Sequence, residues 1–116
     1  MGRYYWGDIE GKFAFAIQGS NAADRFGVYG QQPSHLEYYF EEEHIEEVQE
    51  ELTKLEARFK ELGILEPVLA DKTPDKVPEG EGVDDVFKDI YDYWLGRKIL
   101  KCLQENGSCQ FQAELQ

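Results

Sequence analysis

The clearest periodicity in the chain runs from Glu41 to Leu62. Ile45, Val48, Leu52, Leu55, Phe59 and Leu62 recur there at spacings of 3, 4, 3, 4 and 3. Such a heptad seam predicts an amphipathic helix over 41–62 with one narrow apolar stripe. Gly63 supplies its C-cap, Glu41 to Glu43 occupy the first turn and Lys60 the last, in the sense the helix dipole favours. A second helix is predicted over 83–105. Val83, Val86, Phe87, Ile90, Tyr91, Trp94, Leu95, Ile99, Cys102 and Leu103 give it a broad apolar face, suited to more than one neighbour, and Asn106-Gly107 ends it.

The first forty residues follow a different period. Phe13, Phe15 and Ile17 alternate with Ala14 and Ala16, so Lys12–Gln18 reads as a strand pairing with Arg3–Ile9. Gly11 is the residue expected to take positive φ in the hairpin turn. A short helix is predicted over Ala22–Phe26, with Ser20 or Asn21 as N-cap. An extended piece at Val28 and Tyr29, a loop over 31–34 and a strand over His35–Phe40 complete residues 1–40. Residues 63–82, with Pro67, Pro74 and Pro78, read as an extended solvated linker, and the tail 106–116 receives no element. The expected architecture is a single α+β domain: a small antiparallel sheet, made of an N-terminal hairpin plus a further strand, packed against two long C-terminal helices.

Charge changes this picture. The 116 residues carry a formal net charge of −12 and 41% hydrophobic residues, enough for one domain with its own core. Residues 1–40 are net −1 and hold ten of the sixteen aromatics, whereas residues 41–62 are net −6. The excess charge is therefore concentrated on the heptad helix. A balance this acidic disfavours direct binding to nucleic acid or to an anionic membrane, where Lys and Arg supply the affinity. No apolar run has the length of a membrane span and no signal-peptide profile is present. The expected location is the cytoplasm, with Cys102 and Cys109 as free thiols.

No catalytic signature is present, neither a nucleophile elbow nor a phosphate-binding loop with its lysine, and no enzyme activity or cofactor is expected. His44 with Glu43 or Glu47 is too small a cluster to predict a metal site. Two constellations remain. Glu43, Glu46, Glu47, Glu50 and Glu51 place spaced carboxylates on a rigid helix, a surface fit for a basic protein partner and able to imitate a nucleic-acid backbone. Its bland reading is a solvated face. Arg3, Lys12 and Arg25, with Tyr5, Trp6 and the amides at Ser20 and Asn21, form the second set. They combine cations, stacking surfaces and anion-binding amides suited to a small phosphate-bearing ligand such as a nucleotide or cyclic nucleotide. Core aromatics and scattered surface cations are the bland reading there.

Tyr4-Tyr5-Trp6-Gly7-Asp8-Ile9-Glu10-Gly11-Lys12-Phe13, continuing to Gln18-Gly19-Ser20 and Ala23-Asp24-Arg25-Phe26-Gly27, resembles small orphan proteins of phages and large DNA viruses. The resemblance extends to about residue 45 and the Glu-rich helix, and it transfers no functional residue. It implies a viral accessory role, in the host cytoplasm, exercised on a host factor. The leading expectation is thus a non-enzymatic acidic protein, an inhibitor or mimic engaging a basic host macromolecule. A small-ligand sponge built on the N-terminal half and an oligomeric structural protein, dimerising through its helical half, are the alternatives.

Overall fold

Cys109, Phe111 and Ala113 alternate with Gln110 and Gln112, and this alternation builds the centre of the sheet. The computed structural model describes residues 3–14, 17–28, 35–74 and 82–114. In it, strands β1 (Tyr4–Gly7), β2 (Gly11–Lys12), β3 (His35–Glu41) and β4 (Ser108–Glu114) form one antiparallel sheet in the order β2-β1-β4-β3. The C-terminal strand lies between the N-terminal strand and β3. Tyr5 and Leu36 both pair with Ala113, and Tyr38 pairs with Phe111. One face is buried, with Tyr5, Leu36, Tyr38, Phe40, Cys109, Phe111 and Ala113 on it. Phe111 is its hub: the ring centroids of Tyr38, Tyr5 and Phe40 lie 5.1, 5.9 and 6.1 Å away. The other face carries the exposed side chains of Tyr4, Trp6, Glu37, Tyr39 and Gln110.

The described residues form three helices, α1 (Ile45–Leu62), α2 (Leu65–Leu69) and α3 (Val83–Asn106); α3 packs on the sheet, α1 on α3, and α2 on α1. The heptad stripe of α1 is buried at Val48, Leu52, Leu55 and Phe59 and half-buried at Ile45 and Leu62. It packs on α3, where Phe59 meets Tyr93 edge-on at 5.5 Å. Gly96 makes the close approach possible. A Cβ there would lie 2.5 Å from the Phe26 ring and 2.9 Å from Leu52.

The second long helix and the β3 alternation stand where the sequence pattern puts them, and the fold is α+β; the first helix begins at Ile45 rather than Glu41, because Glu41 ends β3 and Glu42–His44 form a 3-10 turn. The other differences lie between the long elements. The second hairpin strand is only two residues long. The chain turns after Phe13, with the Ala14 N–H on Gln18 Oε1 at 2.9 Å and the Gln18 N–H on Ala14 O at 3.0 Å. Positive φ falls on Gly7 (140°), not Gly11, because Gly7 lies where a Cβ would strike Gln110 O and Phe111 Cα of β4 at 2.6 Å each. Ala22–Phe26 is a 3-10 turn without a side-chain cap; Ser20 Oγ instead accepts from Arg3. The linker contains α2, since Pro67 sits in its first turn, where a missing N–H costs nothing, and Ile64 and Val68 are buried. The tail is β4, a strand recognisable only with its two neighbours beside it. The extended piece at Tyr29 and the 31–34 loop lie outside the described residues.

These contacts set two expectations. Phe111→Ala should lower the free energy of unfolding by about 3–5 kcal/mol and Gly96→Ala by about 1–3 kcal/mol. Tyr39→Ala, on the outer face, should stay within about 0.5 kcal/mol. Urea titrations showing Phe111→Ala as mild as Tyr39→Ala would contradict the central placement of β4.

Candidate functional site

Most of the charge that the fold buries converges on one residue of α3. Asp92 has no exposed surface. Its Oδ2 receives Arg25 Nη1 at 2.7 Å and Lys88 Nζ at 2.8 Å, and its Oδ1 receives Gln18 Nε2 at 2.8 Å. Arg25 also reaches Glu51 of α1 at 2.8 Å and Asp89 at 3.2 Å, while Arg58 Nε lies 2.9 Å from Asp89. Burial alone would lower the pKa of Arg25; its three carboxylates outweigh that and raise it. The cluster is a structural tie between the 3-10 turn, α1 and α3, with the charges of Arg25 and Asp92 matched inside it.

The consequence for the acidic helix is a sorting of its carboxylates. Glu43, Glu46, Glu47 and Glu50 are exposed, as is Glu42 just before α1. Glu51 is drawn inward to Arg25 and Glu56 accepts the Tyr93 hydroxyl at 2.7 Å, so neither belongs to the outward set. At the start of the helix, His44 is a capping residue. The Glu41 N–H donates to His44 Nδ1 at 3.0 Å and the Glu41 carboxylate accepts from the His44 backbone N–H. Among the described residues, no group of three or more His, Cys, Asp or Glu is placed to hold a metal ion, and no helix is long and apolar enough to cross a membrane.

The aromatic and cationic residues of the N-terminal half are distributed rather than gathered. Arg3 donates to Ser20 Oγ at 2.7 Å and to the Gln18 carbonyl, and its guanidinium lies over Phe13. Tyr5 is buried, Trp6 is on the outer sheet face, and Lys12 lies 5.9 Å above the Tyr4 ring. Asn21 is exposed and Arg25 is committed to its three carboxylates. Of this set, Arg3 and Ser20 meet. The seam of α1 is buried within the chain at Val48, Leu52, Leu55 and Phe59. Cys102 and Cys109 are both free and buried, and burial with the Cys102 contact raises the pKa of the Cys109 thiol.

Two features lay outside the sequence reading. Asp92 was hidden because a lone acid between apolar positions reads as outward-facing; its signal is Lys88 at i−4 together with Ile90 and Tyr93 around it. The other feature is a surface groove of about 540 Å³ along α3, lined by Trp94, Arg97, Lys98, Leu100 and Lys101 with Asp71 beside them. No protein family, no curated protein and no solved structure matches this chain.

Arg25→Met should destabilise the fold by about 2–3 kcal/mol, because it leaves the buried Asp92 with Lys88 as its one cationic partner. Adding Asp92→Asn should recover part of the loss, read by urea unfolding. Tyr38 donates to Asp24 and Tyr93 to Glu56, and burial with these bonds raises both hydroxyl pKa values. A tyrosine raised above its unfolded value, about 10, stabilises fully below that pH and loses the contribution as pH climbs toward the folded value. Stability should therefore fall above about pH 10. The fall should be shallower in Tyr38→Phe/Tyr93→Phe; an unchanged slope would count against these bonds.

Proposed function

We propose that this chain is a non-enzymatic binding protein that engages a basic macromolecular partner through the exposed carboxylates at the start of α1. The observation that carries the reading is the inward turn of Arg25 and Arg58. Both nearby arginines spend their charge on Glu51, Asp89 and Asp92, leaving Glu42, Glu43, Glu46, Glu47 and Glu50 without an ion-pair partner among the described residues. These five carboxylates, running from the 3-10 turn into α1, span about 12 Å along the axis, one per roughly 3 Å. That density lies between a single nucleic-acid strand, one charge per about 3.4 Å, and a duplex, one per about 1.7 Å. A groove evolved for phosphates is the kind of surface such a helix would occupy. A packed helix holds the backbone fixed, so binding has to order only the glutamate side chains. An accessory role in a viral setting, acting on a host factor in the host cytoplasm, belongs to the same proposal and is supported by the sequence resemblance.

The test is capture from host extract, read by mass spectrometry, with the wild-type chain and with Glu43→Lys/Glu46→Lys/Glu47→Lys/Glu50→Lys. Charge reversal at Glu61 and Glu66, exposed elsewhere, is the control. A basic protein retained by wild type and control, lost by the quadruple variant and released at high ionic strength, is the expected result. Equal capture by the quadruple variant, its melting unchanged, would overturn the proposal.

A further inference from the structure

The groove on α3 has the opposite character to the acidic helix. From Tyr93 to Gln104 the chain carries Arg97, Lys98 and Lys101 and no Asp or Glu. Trp94, Arg97, Lys98, Lys101 and Gln104 follow helical spacing, so they share one stripe about 15 Å long. Asp71, just past α2, forms the far wall and is the one carboxylate among the lining residues. Three cations against one carboxylate leave a local charge of +2 on a chain whose net charge is −12.

That charge is held without being neutralised. Lys98 donates to the Tyr5 hydroxyl at 3.1 Å and to the Glu10 carbonyl at 2.9 Å, both uncharged acceptors that fix the ammonium in place. Lys101 is exposed and has no ion pair among the described residues. Arg97 touches Asp71 at 3.0 Å, but Asp71 is 72% exposed, and so weakly bound a partner can be exchanged for another anion. The apolar side is equally fixed. Trp94 Nε1 donates to Val68 O at 3.0 Å and its ring meets Tyr91 edge-on, so the indole is anchored at the groove. The volume lies within the roughly 300–1,000 Å³ of small-molecule sites.

We propose that this groove binds a small aromatic phosphate monoester of the nucleoside monophosphate kind, its ring on Trp94 and Leu100 and its phosphate among Arg97, Lys98 and Lys101. A local charge of +2 matches the about −1.5 to −2 of a phosphate monoester near pH 7 better than the single charge of a carboxylate. Gln104 supplies an amide able to donate to and accept from a ring edge. The inference stands apart from the acidic face of α1, since it uses other residues and a ligand of opposite charge.

Trp6→Phe leaves Trp94 as the only tryptophan, so its fluorescence reports the groove. In that background adenosine monophosphate should quench Trp94 saturably, and adenosine or inorganic phosphate should each bind at least ~10-fold more weakly. Lys101→Glu should weaken adenosine monophosphate binding by ~10-fold or more with melting unchanged, whereas Lys54→Glu, the same charge change on α1, should not. An unsaturable response to adenosine monophosphate, equal binding of inorganic phosphate or adenosine, or a Lys101→Glu chain that binds like its parent would each overturn the proposal.

Discussion

A carboxylate with no contact to water must be matched wherever it goes, and Asp92 imposes that condition on the whole helical layer. Its partners come from three places: Lys88 from the same helix, Arg25 from the 3-10 turn and Gln18 from the turn after β2. Arg25 carries the tie onward to Glu51 of α1. A buried ionic group of this kind adds little net stability over an apolar one, but any arrangement that leaves it unpaired is strongly disfavoured. It therefore acts on the choice of docking geometry. The apolar contacts agree with it, because the same turn that delivers Arg25 also sets Phe26 against the bare backbone of Gly96. Polar and apolar constraints select one placement of α3.

The same matching redistributes the surface field. Composition counts twelve cations against twenty-four acids, as if they were mixed. In the fold, Arg25, Arg58 and Lys88 are spent on buried or half-buried carboxylates. The exterior at the start of α1 becomes more negative than its sequence neighbourhood, and the C-terminal half of α3 becomes positive. A chain with a net charge of −12 thus presents two faces of opposite sign.

Much of this was legible in the residues. The 3-4 spacing of α1 and the alternation of β3 are set by burial on one side, and local pattern is sufficient to find such elements. Cys109, Phe111 and Ala113 carry the same period as β3, yet a short alternation after a helix end acquires meaning only between β1 and β3. Pro67 reads as a breaker and stands instead in a first turn. Asp92 and Gly96 escaped for a common reason: their roles are defined by Arg25, Phe26 and Leu52, residues far away in sequence. The carboxylates of α1 were readable as a set, but the removal of Glu51 from it depends on where Arg25 lands. Trp94 reads in the sequence as one more residue of a broad apolar helix face, and its place beside Arg97, Lys98 and Lys101 in a groove depends on Asp71, far from them in sequence.

The position of β4 also shapes how the protein reaches this state. β1 and β3 are joined through β4 alone, and Tyr5 pairs with Ala113 across more than a hundred residues of chain. Closing loops of that length costs entropy before any ladder bond or aromatic contact repays it, whereas each helix needs only local contacts. The sheet is accordingly the late event in folding and the helices the early one. Until it closes, Tyr5, Tyr38 and Phe40 stand on unpaired strands, so the hazard of misassembly lies with the aromatic strands and not with the charged helix beside them.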